Sequence, residues 1–157
     1  MSDRNESEDE RLDRKWGDLL QELRVMQTGA QLTAGFLLTL PFQASFEDLD
    51  TFQVRLYLTL VLLAAATTAM VMSAVAIHRR LSGEHVKERV VVAAHRLTIG
   101  VLTTISLLIT GMVLLIFDVV LDRTAAFAWS GLVATAAVLL VVVLPHVLRI
   151  RNVSERP

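Results

Sequence analysis

Three histidines stand at or near the ends of apolar runs, His78, His95 and His146, and Glu22, Arg24 and Arg96 stand at comparable boundaries. Imidazoles titrate near neutral pH and a neighbouring carboxylate can relay a proton, so these six residues are candidates for a proton or ligand gate. The same residue types also suit helix ends at a membrane surface, where cations complement the carbonyl end of a helix or reach the headgroups. A second set, Gln27, Gln31, Thr103 and Thr110, is polar within apolar stretches. These side chains either line a narrow conduction path or hydrogen-bond between helices and hold them in register. Threonine discriminates poorly between the two, because its hydroxyl can bond its own backbone four residues back.

Other chemistries find no support. The chain has no Cys, which removes disulfides, thiol nucleophiles and thiolate metal sites. No two histidines share a helix face at a spacing of four, and there is no glycine-rich phosphate loop, dinucleotide fingerprint or nucleophile elbow. The expectation is a protein that is not an enzyme, with no catalytic residues, no metal and no cofactor. A net charge of −1 without a cationic cluster points away from nucleic acid.

The elements that must position these residues are long and apolar. With 157 residues, 54% of them hydrophobic, and a positive mean hydropathy, the chain has room for four membrane spans with short connections. The first helix is expected to run from the charged Glu8–Arg24 segment into an apolar one without a break until Pro41. Its 18 apolar-dominated residues cover roughly 27 Å, against about 30 Å of hydrocarbon. On it Arg24, Gln27, Thr28, Gln31 and Gly35 fall within roughly 100° of one another, with Glu22 on the other side. A glutamine facing lipid leaves amide groups unpaired, so the stripe is expected to face other helices or a wet cavity. The acidic opening is unlike a cleavable signal peptide, and the first span is read as retained.

The residues Leu20-Gln21-Glu22-Leu23-Arg24-Val25, Gln27-Thr28-Gly29, Gln31 and Phe36-Leu37-Leu38-Thr39-Leu40-Pro41-Phe42, with the His78-Arg79 end of the second span, resemble a family of small integral membrane proteins of actinobacteria. That family is a domain of unknown function. The resemblance implies a four-span bacterial membrane protein and carries over no activity and no site residue.

Further along, spans are expected at about 54–77, 97–118 and 125–148, after a first at about 25–44. In the second, Ala65, Ala69 and Ser73 form a small-residue face suited to close helix packing. In the third, Arg96, Thr103 and Thr110 recur every seven residues, with Gly100, Gly111 and Asp118 nearby, which predicts a bundle seam. Asp118 and Asp122 beside Arg123 are read as interfacial anchors, and Pro145 as a kink in the last turn. Residues 1–10 are expected to be disordered and 149–157 to be a basic cytoplasmic tail around one membrane domain, 11–148. Of the 15 Lys and Arg residues, only Arg55 and Arg123 fall in the loops opposite both termini. The positive-inside rule then places both termini in the cytoplasm, with the first and third helices extended on that side.

These observations together predict an all-α, four-helix transmembrane bundle in the bacterial plasma membrane. The expected partners are the lipid bilayer and either further copies of the chain, in a homo-oligomer, or another membrane protein. The leading role is assembly, through the Gln27/Gln31 stripe and the Gly100/Gly111 face. The alternative is an oligomeric proton or small-cation channel lined by Gln27, Gln31, Thr103 and Thr110.

Overall fold

The computed structural model describes residues 8–81 and 87–147. They form four long helices and no strand: α1 (Glu8–Thr39), α2 (Thr51–Leu81), α3 (Lys87–Val120) and α4 (Arg123–Val138). This is the all-α architecture that the hydrophobic periodicity predicts. The start of the acidic segment, the 82–86 connection and the 149–157 tail lie outside the described residues, as do the side chains of His78 and His95.

Local chemistry sets the helix boundaries. α1 passes from charged to apolar residues without interruption and stops at Thr39, two residues before Pro41, which has no N–H to donate. Two short 3-10 turns, Leu40–Phe42 and Ala44–Phe46, follow. α4 begins under a cap from Asp122, whose Oδ1 accepts the N–H groups of Thr124 and Ala125 at 2.8 and 2.9 Å. After Val138 the helix widens into a π turn over Leu139–Val143, where the Leu144 N–H reaches back five residues to the Leu139 carbonyl. Pro145 lies just beyond; its ring crowds the carbonyl four residues back, and the wider turn makes room for it. The expected distortion is thus an inserted turn ahead of the proline.

Three stretches are long and apolar enough to cross a bilayer: Thr51–Ala76, Arg96–Val120 and Arg123–Val147. α1 is not among them, because its apolar part is diluted by Gln27 and Gln31 and its first half carries charge.

The chain divides into two compact units, one of residues 1–36 and 63–105 and the other of 37–62 and 106–157. In the first, Leu23, Val71, Ala74 and Val101 form a buried cluster, with Met26, Met70, Leu97 and Ile105 packed against it. Gly100 belongs to this packing, since a Cβ there would lie 3.3 Å from the Met70 Sδ. In the second, Leu37, Tyr57, Leu60, Leu108, Leu115 and Ala126 are buried, and a Cβ on Gly111 would overlap the Leu60 Cδ2. Gly100 and Gly111 therefore serve contacts with α2 of the same chain.

Along α2 the buried residues are Tyr57, Leu60, Ala64, Thr67, Val71 and Ala74, a three-four alternation that matches shallow left-handed helix crossing. Ala65, Ala69 and Ser73, expected to pack, are exposed instead, and the Ser73 hydroxyl donates to the Ala69 carbonyl. On α3 the expected seven-residue period is present in a different phase. Val101, Leu108 and Leu115 are buried, whereas Arg96 and Thr103, about 140° round the helix, are exposed. Bulk decides the phase: the branched side chains fill the interior and the hydroxyls bond their own helix.

Candidate functional site

Two polar assemblies stand out. The first joins helix ends in the second unit. Asp50 precedes α2 and exchanges two hydrogen bonds with Gln53: its Oδ1 accepts the Gln53 N–H at 2.9 Å, and its own N–H donates to the Gln53 Oε1 at 2.9 Å. This reciprocal box satisfies two donors at the start of the helix. It also fixes the glutamine amide, so that Nε2 points away from the box and donates to the Asp118 Oδ2 at 2.9 Å.

Asp118 sits two residues before the end of α3 with its side chain 2% exposed. Arg123 meets it with two parallel bonds, Nε to Oδ1 at 3.1 Å and Nη2 to Oδ2 at 3.0 Å, the paired geometry that a guanidinium makes with a carboxylate. The same Nη2 donates to the Asp50 Oδ2 at 2.6 Å. The guanidinium carbon lies 4.3 Å from the centre of the Phe52 ring, adding a cation–π contact. One arginine thus ties the start of α2, the end of α3 and the start of α4. The Gln53 N–H, followed by the Arg123 guanidinium, holds the Asp50 carboxyl below its ordinary range. Aromatic pairs surround this clasp: Phe52 with Phe127 at 6.1 Å, Phe117 with Trp129 at 6.0 Å, and Phe46 edge-on to Tyr57 at 5.2 Å.

The clasp was partly visible in the sequence. Asp50-x-x-Gln53 ahead of an apolar run is a capping signature, hidden among the acids Glu47 and Asp48. Asp118 and Arg123 are five apart, a spacing that does not meet on a continuous helix, and they pair because α3 ends between them. Their partners in the α2 cap are 65 and 73 residues away.

The second assembly is the stripe on α1, in the first unit. The helix buries Leu23, Ala30 and Leu37, seven apart. Gln27 lies on the flank nearest that face and is half-buried, whereas Arg24, Thr28, Gln31 and Gly35 are exposed. Gly17 and Gln21 extend the exposed line towards the N-terminus. The Thr28 hydroxyl donates to the Arg24 carbonyl at 3.1 Å. Among the described residues, the side chains of Arg24, Gln27 and Gln31 have no hydrogen-bond or ion-pair partner.

The remaining candidates are scattered. Thr103 is exposed, and its hydroxyl donates to the Ile99 carbonyl at 2.9 Å; Thr110 is half-buried. No hydrogen bond among the described residues joins any two of Gln27, Gln31, Thr103 and Thr110. Of the six gate candidates, Glu22, Arg24, Arg96 and His146 are exposed. Glu22 and Asp18 edge an open cleft floored by Val25, Met26 and Leu102. The side chains of His78 and His95 fall outside the described residues.

Over residues 5–145 the chain matches the model of a family described as "Family of unknown function (DUF6328)". No curated protein and no solved structure matches it.

Proposed function

The chain belongs to this family of unknown function, and we propose that it is a non-enzymatic integral membrane protein that acts by helix–helix assembly, with α1 as the assembling helix. Three helices are long and apolar enough to cross the bilayer, and in this reading the apolar half of α1 crosses as a fourth, more polar span. The observation that carries the reading is the contrast within α1. Its apolar side is buried against its own chain, while Gln31 and Arg24 are exposed and unpartnered. An acyl chain cannot satisfy an amide, so a glutamine at membrane depth needs another polar group, and a neighbouring helix supplies one.

The distribution of Lys and Arg supports both termini in the cytoplasm, and the resemblance to an actinobacterial family supports the bacterial plasma membrane. The exposed His146, Arg96 and Glu22 then act as interfacial residues. Photobleaching steps of labelled full-length protein in supported bilayers test the proposal, with proton and potassium flux measured in parallel across pH 5 to 8. Multi-copy spots, or a co-purifying membrane protein, without flux are expected. Single copies with no partner would end the assembly reading, and flux abolished by Gln31→Leu would replace it with conduction through Gln27, Gln31, Thr103 and Thr110.

A further inference from the structure

Within the first unit, an open cleft of about 850 Å³ runs between α1 and α3, with Asp18, Glu22, Val25 and Met26 on one wall and Thr98 and Leu102 on the other. Its volume is that of a small-molecule site, roughly 300–1,000 Å³. The lining is graded. Asp18 and Glu22 are exposed and form a rim, while Val25, Met26 and Leu102 form an apolar floor beside the buried Thr98. Thr98 and Leu102 fall in the first two turns of the apolar stretch Arg96–Val120, which in the membrane reading above sets the floor at the edge of the apolar layer and the rim towards water.

The rim carries uncompensated negative charge. Asp18 and Glu22 are four residues apart, about 6 Å of rise on one side of α1, so each carboxylate feels the other. Neither has a hydrogen-bond or ion-pair partner among the described residues, and no Lys or Arg among them lines the cleft. Arg24 lies about 120° or more round the helix from both acids. Both acids also stand more than two turns inside a helix that begins at Glu8, beyond the reach of its N-terminal dipole.

From this we infer that the cleft binds an amphiphilic organic cation, its charge between Asp18 and Glu22 and its apolar body on Val25, Met26 and Leu102. The inference stands apart from the assembly reading, because the cleft faces α3 rather than the exposed stripe. Two solvated carboxylates alone would hold no ligand; the apolar floor adjoining them supplies the attraction, and they supply the sign of the charge. An inorganic cation gains nothing from the floor, an anion is repelled by the rim, and a neutral apolar molecule leaves two like charges unrelieved. An aminolipid brings a phosphate close to its amine, against the same carboxylates, so the cation that fits carries no phosphate. The Met26 thioether suits aromatic as well as alkyl bodies.

Tetraphenylphosphonium is the probe, titrated calorimetrically against the full chain in phosphatidylcholine nanodiscs with empty nanodiscs subtracted. Tetraphenylborate, of nearly the same shape and opposite charge, is the control. Saturable binding of the cation and none of the anion is expected. Affinity should fall at least ten-fold in Asp18→Asn/Glu22→Gln and in Val25→Lys, which sets a cation in the cleft at an exposed position, and stay within about two-fold in Asp48→Asn, which removes an acid elsewhere. No saturable binding of the phosphonium, equal binding of the borate, or an affinity unchanged in both cleft variants overturns the inference. Phosphonium binding abolished when phosphatidylethanolamine replaces part of the nanodisc lipid assigns the cleft to an aminolipid and overturns the free cation. These readouts do not depend on copy number, so the photobleaching count decides the assembly reading separately.

Discussion

The clasp and the α1 stripe draw on the same chemistry, amides, carboxylates and a guanidinium, and arrive at opposite ends. In the clasp, Asp50, Gln53, Asp118 and Arg123 satisfy one another through six hydrogen bonds within 3.1 Å. In the stripe, Arg24 and Gln31 satisfy nothing in their own chain among the described residues. A polar group set among apolar helices is costly until it is paired, so where the pairing is found tells what the group is for. Pairing within the chain fixes the fold, and pairing left open is the ground of the proposed assembly.

Four perturbations break or sharpen that contrast. Arg123→Ala is expected to have the largest effect. It strips Asp118 of two of its three hydrogen bonds while that side chain stays buried, and the fall in thermal midpoint in detergent should exceed that of the other variants. Adding Asp118→Asn should recover part of the loss, because the uncompensated charge is gone. Gly111→Ala disturbs packing without touching a polar group; displacing the Leu60 Cδ2 should cost about 1–3 kcal/mol, offset in part by the roughly 1 kcal/mol that alanine gains over glycine inside a helix, read from the same melts. Gln53→Leu deletes one bond to Asp118 and one half of the cap, for about 1 kcal/mol. Gln31→Leu should change monomer stability in detergent by less than about 0.5 kcal/mol, as for an exposed residue, while shifting the monomer–oligomer equilibrium in bilayers. A large monomer effect from Gln31→Leu would erase the distinction between the two assemblies.

Acid adds a smaller, signed test. The folded protein holds Asp50 below its ordinary range, so the unfolded chain takes up that proton first. The stabilisation from Asp50 is therefore complete above about pH 4 and fades as the pH falls through the lower folded value. Asp50→Asn should flatten the dependence of the thermal midpoint on pH below 4 and leave the slope from pH 5 to 8 unchanged.

Much of this molecule was legible before any coordinates. The unbroken run from Glu8 past Arg24, the stop at Pro41 and the small-residue nature of Gly100 and Gly111 are all local properties, and helices obey local rules. The phase of the α3 face was not legible from threonines, because a hydroxyl that bonds its own backbone gives no sign of which way it faces, whereas Val101, Leu108 and Leu115 are spaced alike and also bulky. The stripe was recognised as polar, but a helical wheel has no origin. Only the burial of Leu23, Ala30 and Leu37 separates Gln27, on the inner flank, from Gln31, on the outer. Beyond the Asp50-x-x-Gln53 cap, the clasp escaped because it depends on where α3 stops and on partners far apart in the chain.

The position of Arg123 also sets an order of events at the ribosome. Asp118 is synthesised five residues ahead of the arginine, Gln53 65 residues ahead of Asp118, and Asp50 73 residues ahead of Arg123. The Asp50–Gln53 cap is local to the start of α2 and therefore forms before its eventual cation exists. Closure waits for the start of α4, so the clasp is completed only once the last of the four helices has begun.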